Sequence, residues 1–340
     1  MQKTHILDYT LEEWQNYSLA QGQKRFRGEQ IFRCLHERLE FDLSKANIPK
    51  PFLELIQQSF TFPPAEPHRS SSSESDGTAK DLWLFEKDRA VESVWLPYED
   101  RQSICISTQF GCSLDCSFCA TGKLKFKGNL STGEILAQVY LSQKRYGKRI
   151  SNVVLMGMGE PFYNYDNSLK ACRILNHDMG LNIGAGRITI STSGVLPAIE
   201  KYVNNAEPFS LALSVHAANA YKRAEIMDIE KKFALKDIAD FLQKNRHKMG
   251  KNRLTIEYIL IKDFNMSEAD AEELANLAHK IRAKVNLIPL NTSFLEFERP
   301  SDAAMNQFWQ RLHNRRVLVF NRQSPGRSID AACGMLAGTA

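Results

Sequence analysis

The sequence predicts an α/β protein: an incomplete barrel of about six βα units, preceded by an N-terminal helical accessory domain. Two observations support this fold class. From about residue 103 onwards, short β-rich runs alternate with amphipathic stretches, which implies parallel strands joined by right-handed crossovers. A loop with three closely spaced cysteines follows the first of these strands, and this architecture carries its functional site at the carboxyl ends of its strands.

The amino-terminal region predicts a separate helical unit. Apolar residues recur at helical spacing after Leu11 and again after Gly28. A stretch rich in proline and serine follows, and such a composition is typical of a linker or an exposed loop. We therefore predict a helical accessory domain over residues 1–62, a linker over 63–79 and a barrel core with a carboxyl-terminal tail over 80–340.

The remaining elements follow from hydrophobic pattern and β-branched content. Predicted strands cover residues 82–85, 91–96, 103–107, 152–156, 187–191, 209–215, 254–261, 284–288 and 317–320. Predicted helices begin near residue 132 and cover residues 235–245 and 267–282.

Composition limits the functional classes. Apolar residues make up 43% of the 340-residue chain, enough for a sizeable core. No apolar run approaches the ~18 residues that a membrane span needs, and the amino terminus lacks the pattern of a secretory signal. Seven cysteines, an odd number with three in one motif, favour a reducing compartment over a disulfide framework. We therefore expect a cytoplasmic protein without a membrane partner.

The net charge of +5 is too small to indicate nucleic-acid binding by itself. Basic residues gather locally, however, and Lys123, Lys125 and Lys127 come directly after the cysteine loop. We expect these three to contact phosphate groups. Three other basic clusters, at residues 24–27, 144–149 and 244–253, are more simply explained as solvated helix ends.

Cys112, Cys116 and Cys119 are the most informative residues of the chain. Three thiolates in one short loop suit three corners of an iron–sulfur cluster whose fourth iron has no protein ligand and is open to a substrate. The alternative is a zinc site. Such a site has four protein ligands, and the fourth would be Cys105, Cys172 or a distant histidine. The spacing favours the cluster.

A second motif, Gly157-Met158-Gly159-Glu160-Pro161, follows a predicted strand. Glycines at a strand end let the backbone approach a ligand closely, and a carboxylate there suits an amino group. By itself such a turn is ordinary. One βα unit after the cysteine loop, it resembles the segment with which radical SAM enzymes bind the amino group of S-adenosylmethionine.

The chain resembles the RlmN/Cfr family of radical SAM enzymes, which methylate adenosine in RNA. The resemblance extends over most of the chain, and the tail Ala331-Ala332-Cys333-Gly334 is its most diagnostic part after the cysteine loop. It rests on residues 91–92, 111–122, 157–161, 191–194, 213–217, 257–258, 286–291 and 329–334.

The resemblance implies a radical SAM barrel with two cofactors. One 4Fe–4S cluster with an open iron site would be held by Cys112, Cys116 and Cys119, and two molecules of S-adenosylmethionine would be used per turnover. The implied cofactor-binding residues are Gly159, Glu160, Ser191, Ser214, Val215, His216 and Asn291.

The resemblance also implies a mechanism. Cys333 would take a methyl group, from which a 5′-deoxyadenosyl radical would remove a hydrogen, and the resulting carbon radical would add to adenine. Cys105 would then attack Cys333 to form a disulfide and release the product, with Glu92 as proton acceptor. Such chemistry fits the target, because an adenine ring carbon is a poor nucleophile, and it needs paired thiols.

Taken singly, these residues have simpler explanations. Cys105 alone would be a small buried hydrophobe, Cys333 would be incidental, Glu92 would be a solvent-facing strand carboxylate, and His216 would be a core histidine. Their joint occurrence favours the functional interpretation. Cys34 and Cys172 lie on predicted helices and receive no role.

Six positions depart from the family's usual residues, and none is an implied cluster, cofactor or reactive-cysteine residue. The changes near Cys333 touch groups that would position RNA. The six are Gly128, Asp228, Met266, Pro325, Ser328 and Met335.

The implied activity is methylation of adenosine C2 in 23S ribosomal RNA, with transfer RNA as a further candidate substrate and an electron donor such as flavodoxin. Two alternatives stay open at this point. One is C8 methylation of the same RNA, the Cfr-like activity linked to antibiotic resistance. The other, from another class, is a non-catalytic RNA-binding paralogue that carries a cluster.

Overall fold

A computed structural model of the chain describes residues 3–64, 66–86, 89–250, 253–291, 296–322 and 324–337. The strands are β1 Thr4–His5, β2 Phe60–Thr61, β3 Arg69–Ser72, β4 Ala79–Glu86, β5 Arg89–Pro97, β6 Gln102–Cys105, β7 Gln109–Phe110, β8 Gly128–Asn129, β9 Asn152–Leu155, β10 Ile188–Thr192, β11 Ser210–Ser214, β12 Leu254–Leu260, β13 Lys284–Pro289 and β14 Val319–Asn321. The α-helices are α1 Leu11–Ala20, α2 Phe26–His36, α3 Lys50–Ser59, α4 Thr132–Tyr146, α5 Tyr165–Asn176, α6 Leu196–Asn204, α7 Ala220–Ile226, α8 Ile229–Lys232, α9 Leu235–Asn245, α10 Glu268–Ile281 and α11 Asp302–Asn314.

The barrel part of the sheet runs in the order β6-β9-β10-β11-β12-β13-β14, and every neighbouring pair in it is parallel. Helices lie in the crossovers between successive strands, as a parallel sheet requires. Each of these strands lies within two residues of its predicted bounds. The structure therefore confirms the incomplete radical-SAM-type (βα)6 barrel architecture, with its strand ends gathered at one edge.

Three antiparallel strands extend the sheet beyond the barrel, in the order β3-β4-β5-β6. The predictions for β4 and β5 are confirmed, but β3 was missed. Its serines had been assigned to the linker, and they pair with β4 from Arg69 opposite Leu82 to Ser72 opposite Ala79. The exposed edge strand needs no apolar residues, so its sequence pattern does not distinguish it from a loop.

The amino-terminal helices pack on the outer helices of the barrel. Asp8 accepts a 2.6 Å hydrogen bond from the backbone N–H of Gly133 at the start of α4. The His36 Nδ1 atom lies 2.8 Å from the hydroxyl of Tyr140, also on α4. These contacts join the helical segment to the barrel's outer layer.

We find no helix among the described residues that is long and apolar enough to cross a membrane.

Candidate active site

One pocket opens at the carboxyl ends of the parallel strands. The three cysteines of the loop after β6 line it, together with residues that follow β9, β10 and β11. Five of the seven predicted cofactor-binding residues are in its wall: Gly159, Glu160, Ser191, Ser214 and His216.

The cysteine loop is anchored by backbone contacts. The N–H of Ser117 donates to the carbonyl of Ile226 at 3.1 Å, and the N–H of Ala120 donates to the carbonyl of Gly334 at 2.7 Å. These bonds attach the loop to the region after α7 and to the carboxyl-terminal tail, so the loop's shape depends on tertiary contacts as well as on its own sequence.

Burial raises the pKa of all three loop thiols, to about 12 for Cys112. A buried thiol needs a positive partner to become a thiolate, and the irons of a cluster would supply one. In the described part of the chain, no group of three or more His, Cys, Asp and Glu side chains is arranged to hold a single metal ion. Three thiols along one pocket wall suit a cluster, in which each thiolate takes a different corner.

The glycine-rich segment after β9 lies against neighbouring backbone. Gly159 has φ +98°, and a Cβ atom built on it would lie 2.5 Å from the Cβ of Gln109. The Gln109 side chain in turn accepts a 2.9 Å hydrogen bond from the N–H of Glu160. Glycine is therefore required here for conformation and for space.

Both carboxylate oxygens of Glu160 accept backbone hydrogen bonds. Oε1 accepts from Phe162 N–H at 3.0 Å, and Oε2 accepts from Ser193 N–H at 2.7 Å. Burial raises the pKa of Glu160, and the hydrogen bonds from Ser193 and its neighbours oppose that shift. These hydrogen bonds hold the carboxylate in place at the pocket wall.

His216 is held as a neutral hydrogen-bond donor. Its Nδ1 accepts from the backbone N–H of Ile259 at 3.1 Å, and burial lowers its pKa to about 3. The proton of the neutral ring is therefore on Nε2. The edge of the ring meets Phe118 of the cysteine loop at a centroid distance of 4.7 Å.

The other two predicted cofactor-binding residues, Val215 and Asn291, do not line the pocket. Val215 is fully buried, and its N–H donates to the carbonyl of Glu257 at 3.0 Å. Asn291 donates from Nδ2 to the carbonyl of Cys333 at 3.3 Å. In this structure Asn291 therefore contacts the tail directly.

Cys105 and Cys333, the two thiols that the resemblance pairs, lie at one site. Both line a second pocket next to the first, and Cys333 lines both pockets. Burial, and to a smaller extent the nearby Cys333, raises the pKa of Cys105 to about 12. All seven cysteines lie in the described part of the chain, and none is in a disulfide.

Glu92 lies beneath the tail and is 5% exposed. Its Oε1 lies 3.2 Å from the Nζ of Lys80, and its Oε2 accepts a 2.9 Å hydrogen bond from the N–H of Ala337. The solvent-facing alternative is therefore wrong for this residue. The tail covers the carboxylate.

Two arginines at the site were missed in the sequence. Arg322 lines both pockets, and its guanidinium lies 3.8 Å from the carboxylate of Glu257. The neighbouring Cys333 raises its pKa. Arg223 is fully buried behind the pocket and donates to the carbonyls of Ser193 at 2.6 Å and Val215 at 3.2 Å. Neither belongs to a local pattern, so no sequence signal marks them.

The lysines after the cysteine loop are exposed, as expected for phosphate contacts. Lys123 pairs with Asp115 at 3.1 Å. Lys125 and Lys127 precede β8, and an exposed Phe126 lies between them.

This barrel, with three cysteines at its open end, has the architecture of a radical SAM enzyme. Residues 106–278 match the radical SAM superfamily. The chain is also similar to a radical SAM methyltransferase from Sphaerobacter thermophilus of known crystal structure, with a TM-score of 0.93 and 35% identity, covering 99% of this chain and 100% of that one.

Curated relatives identify the family more closely. A probable dual-specificity RNA methyltransferase RlmN from Fervidobacterium nodosum is 40% identical over 98% of this chain and 97% of its own length. Another from Leptospira biflexa is 37% identical over 96% and 94%. The chain belongs to the RlmN family of radical SAM methyltransferases.

Proposed function

We propose that the protein methylates C2 of adenosine in 23S ribosomal RNA, with Cys333 as the methyl carrier. The position of Cys333 supports this most strongly. It lines the pocket that contains the three-cysteine loop and also the pocket that contains Cys105. A methyl carrier needs both neighbours, one where the methyl group is activated and one that releases the product.

In this proposal Cys112, Cys116 and Cys119 hold a 4Fe–4S cluster, and the pocket beside it holds S-adenosylmethionine. When bound and reduced, the cluster supplies the electron that cleaves S-adenosylmethionine. Glu160 accepts hydrogen bonds from the ligand's amino group, and His216 donates from Nε2. The Gly159 backbone leaves room for the ligand.

The two remaining thiols do the transfer and release. Cys333 attacks the methyl carbon of one S-adenosylmethionine, S-adenosylhomocysteine leaves, and the thiol proton is lost to solvent. The methyl carbon then loses one hydrogen atom to a 5′-deoxyadenosyl radical and bonds to adenine, and the unpaired electron of this adduct would return to the cluster. Cys105 attacks the Cys333 sulfur, the bond between that sulfur and the methylene carbon breaks, and the carbon takes up the Cys105 thiol proton to become the methyl group. The two sulfurs form a disulfide, which an external reductant must reopen. Arg322 favours negative charge on the Cys105 sulfur, because its partly buried cation lies near that thiol. Glu92 accepts the proton that adenine loses.

The RNA assignment rests on the relatives, whose names describe dual-specificity RNA methyltransferases. The exposed Lys125 and Lys127 suit contacts with RNA phosphates. We propose transfer RNA as a second substrate and a flavodoxin-type protein as the electron donor.

The test is an anaerobic reaction of the cluster-loaded protein with S-adenosylmethionine, a reductant and unmodified ribosomal RNA. Nucleosides are then identified by mass spectrometry against standards, with Cys333→Ala as the matched control. 2-Methyladenosine that depends on Cys333 supports the proposal.

Other products separate the alternatives. 8-Methyladenosine would assign the C8 activity. Formation of 5′-deoxyadenosine without a methylated base would keep the radical chemistry and overturn the RNA target. An active reconstitution with neither product, in a protein that still binds RNA, would indicate a non-catalytic RNA-binding role.

A further inference from the structure

The β3–β4 hairpin holds the segment that leads to Cys333. Asp76, in the hairpin turn, accepts a 2.8 Å hydrogen bond from the N–H of Gly326. The Ser73 hydroxyl lies 3.2 Å from that of Ser328. On β4, Lys80 donates to the carbonyl of Asp330 at 3.0 Å. The residues that the sequence assigns to a linker therefore form a docking edge for the tail.

Past Cys333, the tail returns to the same strands. The N–H of Ala337 donates to Glu92 on β5, and the other oxygen of that carboxylate pairs with Lys80. Leu82 lies opposite Glu92 in the β4–β5 register, so Lys80, two residues earlier, is a diagonal neighbour of Glu92 on the same sheet face.

Lys80 thus contacts the tail on both sides of Cys333, directly at Asp330 and through Glu92 at Ala337. Its side chain is 15% exposed and that of Glu92 is 6% exposed. Removal of either Lys80 or Glu92 is therefore unfavourable, because it leaves the charge of the other side chain buried without compensation.

We propose that Lys80 is a positioning residue for Cys333, since it holds Asp330 before the reactive cysteine and, through Glu92, Ala337 after it. The hold of Lys80 on the tail does not depend on the proposed function. Only its purpose, which is to keep Cys333 between the two pockets, rests on that function.

The test is hydrogen–deuterium exchange of the cluster-loaded protein under anaerobic conditions, read by mass spectrometry on peptides from 324–337. In Lys80→Met, amide exchange at Ala337 and around Asp330 is expected to be at least about tenfold faster than in the unmodified protein. Lys80→Arg, whose guanidinium also donates to a carboxylate and a carbonyl, is expected to restore most of the protection.

A matched control exists in Lys222. Its Nζ also bridges a carboxylate and a backbone carbonyl, those of Asp270 at 2.8 Å and Phe264 at 2.7 Å, and it contacts no residue of the tail. Lys222→Met is expected to leave exchange in 324–337 unchanged. Equal exchange in Lys80→Met and the unmodified protein, or equal loosening by Lys222→Met, would overturn the role of Lys80.

A second readout follows the thiol itself. Alkylation of Cys333 by N-ethylmaleimide is quantified by peptide mass spectrometry. In Lys80→Met it is expected to be several-fold faster, because the tail samples more open positions. An unchanged rate would count against the role. If Lys80→Met does not fold, Glu92→Gln replaces it: it keeps an acceptor for Ala337 and removes the charge that Lys80 pairs with, so exchange around Asp330 should increase more than at Ala337.

These measurements need no RNA. Faster tail exchange in Lys80→Met without any methylated nucleoside from the unmodified enzyme would retain the positioning role and reject the proposed function. The reverse result, RNA methylation with unchanged tail exchange, would reject the role of Lys80 alone.

Discussion

The backbone N–H of Ala120 donates a 2.7 Å hydrogen bond to the carbonyl of Gly334. Each residue is the immediate neighbour of a cysteine at the site, Cys119 in the loop and Cys333 in the tail. The Thr121 hydroxyl adds a second bond, 2.7 Å to the carbonyl of Leu336. The proposed cluster loop and the proposed methyl carrier are therefore placed by direct main-chain contact.

Variants that lack Cys333 or Cys105 should stop the proposed reaction at different steps. Cys333→Ala is expected to abolish RNA methylation and leave no methyl group on the protein. Cys105→Ala is expected to accept the methyl group and then remain covalently joined to RNA, because no second thiol is present to release it. A denaturing gel with labelled RNA distinguishes the two.

Cys172→Ala is the control, because Cys172 is fully buried on α5 and we assign it no role. Turnover by Cys105→Ala at the rate of the unmodified enzyme would contradict the assignment of Cys105.

Gly159→Ala should damage the proposed S-adenosylmethionine site. The position has φ +98°, and an added Cβ would lie 2.5 Å from the Cβ of Gln109. We expect a loss of about 1–3 kcal/mol in the free energy of unfolding and weaker S-adenosylmethionine binding, measured by denaturant titration and calorimetry. In Gly184→Ala, where no atom lies within 4 Å of the added Cβ and φ is not positive, both values should stay near those of the unmodified protein.

The free energy of unfolding should decrease as the pH falls, partly because His36 takes up a proton when the protein unfolds. Burial lowers the pKa of His36 to about 3, whereas an unfolded histidine titrates near 6.5. Between those values the unfolded chain binds a proton that the folded protein does not. The contribution of His36 is therefore complete above pH 6.5 and is lost towards pH 3, at about 1.4 kcal/mol per pH unit.

His36→Gln removes this term. The slope of unfolding free energy against pH, measured by urea titration between about pH 5 and 6.5, should become shallower by about 1 kcal/mol per pH unit on average, because the unfolded histidine is only half protonated at pH 6.5. His247→Gln, at an exposed position, should leave the slope as it is. An unchanged slope in His36→Gln would show that His36 is protonated equally in both states.

Lys125→Gln should weaken RNA binding and leave S-adenosylmethionine binding unchanged. Loss of one phosphate contact reduces the slope of log affinity against log salt by about 1. Binding to an RNA fragment at several salt concentrations measures this slope, and Lys201→Gln on α6, an exposed lysine paired with Asp166, is the control. Equal slopes in both variants would remove Lys125 from the RNA surface.

Much of the site could be predicted because its signals are local. The three cysteines, the Gly157–Pro161 turn and the alternation of strands with helices all lie within short windows of sequence, and five predicted cofactor-binding residues line one pocket. Val215 and Asn291, which follow β11 and β13, do not line this pocket, since whether a side chain reaches a pocket depends on how its strand end turns.

The parallel barrel strands, the spacing of the cysteine loop and the candidate thiols are encoded in short stretches of the chain, because backbone preference and hydrophobic period act over a few residues. Three other features emerge only in the folded molecule: residues 69–72 form a strand, Arg322 lies beside Cys333, and Lys80 and Glu92 hold the tail. Each of these contacts joins residues far apart in the chain. Such residues meet only when the sheet has assembled and the tail has folded back across it, and no local pattern records which polar side chains will then face each other.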